Sequence, residues 1–66
     1  MSTRETIMRV DATYHLRVEA GDAIHRGDRI SDAPAQQAFA PVSGVVKSVH
    51  FDPQNHEFII AILPTA

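Results

Sequence analysis

The sequence has no cysteine, only one lysine and no long apolar run. Without cysteine there can be no disulfide framework and no thiolate metal site. That lack also fits a reducing compartment, so a cytoplasmic location is expected. No apolar stretch approaches the ~20 residues that carry a helix across a bilayer, which argues against membrane insertion. The opening Met1–Thr6 is polar and lacks a signal-peptide core. The six basic residues, Arg4, Arg9, Arg17, Arg26, Arg29 and Lys47, are scattered, and the net charge is −2. A nucleic-acid binder needs a basic run or stripe to neutralise phosphates, and none is present.

What remains is a chain of 66 residues, 44% of them hydrophobic. This is enough for one domain over residues 1–66, with 1–6 expected to be flexible. A chain of this size buries only about 60% of the surface its unfolded form exposes, so a partner would add to its stability.

The apolar residues follow a period of two. Ile7-Met8-Arg9-Val10 reads as a strand, or as the first half of a hairpin closing at Asp11-Ala12-Thr13. Tyr14, Leu16 and Val18 alternate with His15, Arg17 and Glu19, the pattern of a strand with one buried face. An internal echo follows: Gly21-Asp22-Ala23-Ile24 and Gly27-Asp28-Arg29-Ile30. Glycine takes positive φ without steric cost and aspartate bonds backbone groups two residues on, so each pair predicts a tight turn with an isoleucine plugged into the core after it. Ser31 to Gln37 is loop-like, and Pro41-Val42-Ser43-Gly44 has turn chemistry at both ends. Gly44 to Phe51 reads as a strand whose alternation breaks between Val46 and Val49, as a bulge would make it do. Asp52-Pro53-Gln54-Asn55 is a turn. His56 to Leu63 is the strongest strand, with Phe58, Ile60 and Ile62 on one face. Five to seven short strands and no sustained helical period predict an all-β barrel or sandwich.

The strand Leu16-Arg17-Val18, the two Gly-Asp turns and Ala40-Pro41-Val42-Ser43-Gly44-Val45-Val46-Lys47-Ser48-Val49 occur in the order seen in the biotinyl/lipoyl domains. The chain resembles that family over about residues 14 to 51, and the resemblance implies a barrel-sandwich hybrid. The family's modified lysine sits at the tip of the hairpin between its two halves. Here Ser31-Asp32-Ala33-Pro34-Ala35-Gln36-Gln37-Ala38 holds no lysine, and Lys47 lies after the Pro-x-x-Gly turn instead. The expected cofactor complement is therefore none. The family's second Gly-Asp turn is replaced by Phe51 to Phe58. In this respect the chain looks like the unmodified hybrid segment in the C subunit of Rnf-type electron-transport complexes and its relative in sodium-translocating NADH:quinone reductases. The flavin, NADH and iron–sulfur sites of those subunits do not carry over.

The candidate sites divide between chemistry and structure. Asp22 and Asp28 could be a carboxylate pair, but the glycine before each already accounts for them as turn residues. His50 and His56 flank one turn and could converge on a metal, although their spacing fits no standard ligand motif. With His15 and His25 they make four histidines, many for 66 residues, and His15 alternates with apolar residues and so faces solvent. Ser43 is not in a nucleophile elbow, and Glu5, Glu19 and Glu57 show no pairing, so no enzymatic activity is expected. Ile59, Ala61 and Leu63 form a second apolar face on the last strand, either buried centrally or docked on a protein partner or a second copy. The expected role is a non-catalytic interaction or scaffold module. The alternatives are a degenerate carrier domain of a biotin- or lipoate-dependent enzyme and a small histidine-based metal-binding protein.

Overall fold

A computed structural model describes residues 4–34 and 38–65. Among them are four strands and no α-helix: β1 (Thr6–Asp11), β2 (Ala23–Ile24), β3 (Gly44–Asp52) and β4 (Glu57–Pro64). They form one antiparallel sheet in the order β1-β4-β3-β2, which curls into a half-barrel. The expected all-β, barrel-like fold is therefore present.

The first strand pairs differently from the hairpin that its local sequence suggests. β1 lies against β4 in unbroken register, from Thr6 opposite Ile62 to Asp11 opposite Glu57. The segment after β1 instead turns away, with the Thr13 N–H donating to Asp11 Oδ1 at 2.9 Å. The apolar face of β4 attracts β1 because β4 is the most hydrophobic strand available. Thr6 already belongs to β1, and Glu5 forms an ion pair with Lys47. The lead-in expected to be flexible is shortened accordingly, and residues 1–3 lie outside the described part.

The Gly-Asp echo is also an echo in structure. Gly21 and Gly27 have φ of +98° and +89°. Each is the third residue of a four-residue turn, Glu19–Asp22 and His25–Asp28, closed by an Asp N–H donating to the first residue's carbonyl at 3.1 and 2.9 Å. A positive φ at that position defines a type II turn. The Gly21 N–H donates to the Val46 carbonyl while the Val46 N–H donates to the Asp22 carbonyl; Gly27, Ala40 and Asp28 repeat the arrangement. Two residues thus face one, with a left-handed glycine first, which makes each turn a G1 bulge as well. The aspartates reach backwards rather than forwards: Asp22 Oδ2 accepts from the Glu19 N–H at 2.9 Å and Asp28 Oδ2 from the His25 N–H at 2.8 Å. Ile24 and Ile30 follow as buried plugs, as their spacing predicts.

These bulges explain why fewer strands form than the alternation suggests. The stretches 22–24 and 28–30 pair with 44–46 and 38–40 along one antiparallel register, but the turn at 25–28 and Pro41 interrupt it. Beyond the interruption only the single bridge between Arg29 and Phe39 survives. Leu16 makes one bridge to Ser31, so the alternating segment at 14–18 is extended without being a strand in the sheet. Its burial alternates from His15 to Glu19, with Leu16 and Val18 packed on the core and His15, Arg17 and Glu19 exposed, but Tyr14, expected on the buried face, is exposed.

The expected bulge in β3 falls between Val46 and Ser48. Gly44 differs from its turn assignment. It opens β3, its φ is not positive, and a Cβ placed there would collide with the Leu63 carbonyl. Met8, Val10, Ile24, Ile30, Ala40, Val46, Ile60 and Ile62 form the core cluster.

Candidate interaction surface

The side chains of a strand alternate between faces, and directly paired residues share a face. The concave face carries Met8, Val10, Val46, Ile60 and Ile62, all in the core. The convex face is built by the residues between them. Across it, Ile7 lies opposite Ala61, which lies opposite Ser48; Arg9, Ile59 and His50 form the next row. At the other end of the face Leu63 pairs with Val45, and Val45 with Ala23.

Ile59, Ala61 and Leu63, the candidate interface, therefore sit together at the middle of the convex face. Ala61 is buried between its neighbours, while Ile59 and Leu63 are half-buried. The larger exposed apolar groups lie beside them on the flanking strands: Ile7 is 53% exposed and Val45 37%. Sequence alternation places β4's second face correctly. It cannot show that the neighbours of β4 present more apolar surface than β4 itself, because that depends on strand order.

Charged groups border this patch at its Ile59 end and cross it beside Leu63. Arg9 Nη1 lies 3.3 Å from Asp52 Oδ2 and 3.4 Å from Glu57 Oε1. Lys47, the extra residue of the β3 bulge, pairs with Glu5 across β4, between the Ala61 row and the row of Leu63 and Val45. Exposed pairs of this kind contribute little stability, but they place charge beside and among the apolar groups of this face. Glu57 and Glu5, which show no pairing in sequence, are paired through strands distant along the chain. Arg17 and Asp32 form a further ion pair at 2.5 Å, and the Arg29 guanidinium lies 4.7 Å from the centre of the Phe39 ring.

The β3–β4 hairpin tip has its own hydrogen-bond set. Asp52 Oδ1 accepts from the Gln54 N–H at 3.0 Å, and Asp52 Oδ2 from Asn55 Nδ2 at 2.9 Å. Chiefly the Asn55 side chain, with Gln54 and Arg9 adding to it, holds the Asp52 carboxyl below its ordinary pKa. The backbone and hydroxyl of Thr13 do the same for Asp11, helped by His56. His56 closes the turn with φ of +52°, a conformation histidine adopts more readily than most residues.

His50 and His56 do not share a face. His50 belongs to the convex row with Ile59, whereas His56 packs edge-on against Phe51, whose side chain alternates to the concave side. Among the described residues no three His, Asp or Glu side chains come together as a metal centre would require. Asp22 and Asp28 are each occupied with their own turn. Ser43 Oγ accepts from the Arg26 N–H at 2.9 Å, a structural bond. Among the described residues no helix is long and apolar enough to cross a membrane.

No protein-family model matches this sequence, and comparison with curated proteins and with solved structures found no similar chain.

Proposed function

We propose that this chain is a non-catalytic protein-interaction or scaffold module that resembles an unmodified biotinyl/lipoyl-like domain and works in the cytoplasm as part of a redox or electron-transport assembly of the Rnf type. The observation that carries the interaction reading is the convex face. There Ile7 and Val45 stand exposed beside Ile59, Ala61 and Leu63, with the ion pairs of Arg9 and Lys47 beside and among them. Exposed apolar groups gathered on one face mark a surface for protein contact. The likeness to the unmodified family rests on the two Gly-Asp turns with their buried isoleucines, and on a lone lysine held within the β3 bulge rather than on a hairpin tip.

The test is a photo-crosslinking amino acid placed at Val45 in the full chain, expressed in its native host, with Gln54 at the hairpin tip as control. Val45 should yield discrete protein adducts and Gln54 none. Equal, diffuse labelling from both positions overturns the interaction reading. A biotin or lipoyl mass on Lys47 of the native protein would establish the carrier alternative instead.

A further inference from the structure

The two edges of the sheet are built differently. The β2 edge is two residues long and is flanked by both G1 bulges, devices that blunt an edge against pairing. The β1 edge is six residues long, without proline, bulge or register shift. Among the described residues no strand pairs with that edge, and an open groove lined by Ile7, Met8 and Arg9 together with Arg26, Phe39, Ala40 and Pro41 runs beside it.

Its free hydrogen-bonding groups can be assigned. The Ala12 N–H donates to the His56 carbonyl at 2.9 Å in continuation of the β1–β4 ladder. Bonded and unbonded positions alternate along an antiparallel strand. Thr6, Met8 and Val10 therefore bond to β4, and Ile7 and Arg9 turn their N–H and C=O groups to the open side.

We infer that a second copy of this chain occupies that edge, β1 pairing antiparallel with β1 about a two-fold axis through Ile7. The charge pattern selects this register. Centred on Ile7, the two exposed isoleucines meet and each Arg9 faces the partner's Glu5, giving two opposite-charge cross-strand pairs. The register shifted by two residues one way sets Glu5 against Asp11. A shift by four in the same direction sets Arg9 against Arg9. Like charges directly opposite destabilise a strand pair. The inference deepens the interaction reading by naming the partner, and it rests on that reading.

Sedimentation equilibrium of the full chain and two variants tests it. The unaltered protein should dimerise with concentration. Glu5→Arg, which sets a second positive charge opposite Arg9, should raise the dissociation constant roughly tenfold, as two lost cross-strand pairs imply. Ile7→Pro removes an N–H that only the second copy uses and should leave a monomer with unchanged circular dichroism. A chain that stays monomeric at every concentration overturns the inference. So does a dimer indifferent to Glu5→Arg and Ile7→Pro. If Val45 crosslinks to another protein while the chain remains monomeric, the edge pairing fails alone and the interaction reading stands.

Discussion

Three glycines carry three backbone demands of two different kinds. Gly21 and Gly27 need only the left-handed conformation, since a Cβ at either meets nothing within 4 Å. An L-residue there costs about 1–2 kcal/mol of strain. Gly27→Ala should lower unfolding stability in urea by about that amount, and D-alanine at the same position, which favours positive φ, should restore it. Gly44 has ordinary φ but no room, because the Leu63 backbone occupies the Cβ position. Gly44→Ala forces β3 and β4 apart and should cost about 1–3 kcal/mol, as overpacking does. The Gly-Asp repeat was legible in sequence because turn chemistry is local. Gly44 resembles a turn glycine locally, and its real role depends on a strand that arrives about twenty residues later. The same holds for Ser31, which reads as loop and is fully buried, its Oγ accepting from the Ala33 N–H at 3.1 Å.

At the scale of elements, β4 and the β3 bulge follow from period and its interruption, whereas the partner of β1 does not. A short apolar strand pairs with whatever face buries it best, and nothing within residues 7–18 indicates that the choice falls on β4. The candidate interface was legible to the same extent: Ile59, Ala61 and Leu63 share a face by alternation, but the exposure of Ile7 and Val45 beside them depends on strand order. The β3–β4 hairpin also carries a pH dependence. Asp52 has a folded-state pKa below its unfolded value, so its bonds to Asn55 and Gln54 contribute in full above the ordinary carboxylate range, about 4, and are lost as pH falls through the lowered value. Protection factors at Gln54 and Asn55, exchange rates corrected for the intrinsic pH dependence, should therefore fall on acidification below about pH 4 before those of the core amides of Ile60 and Ile62 respond. Asp52→Asn should remove most of that early phase. Simultaneous loss of protection at tip and core would show that the tip has no separate stability.

The whole molecule is small for a single core, and that fixes how much damage one side chain can do. At roughly 0.05–0.15 kcal/mol per residue, a chain of this length has roughly 3–10 kcal/mol to lose. Ile30 is fully buried where the second Gly-Asp turn meets the segments at 16–18 and 38–40. Those segments are joined by single bridges rather than ladders, so side-chain packing substitutes there for backbone pairing. Truncating a buried isoleucine to alanine costs about 2–5 kcal/mol, a large share of the total. Ile7, half exposed on the convex face, should cost less than about 0.5 kcal/mol when truncated. Thermal melts of Ile30→Ala and Ile7→Ala at one low protein concentration should therefore separate sharply, the first losing most of its cooperative transition and the second nearly unchanged. Equal, small effects would mean that the segment from 14 to 40 is held by its bridges alone and that the isoleucine after the second turn is not a core plug. A large effect of Ile7→Ala that grows with protein concentration would instead place its contribution at the contact between two copies, because only an associating system links stability to concentration.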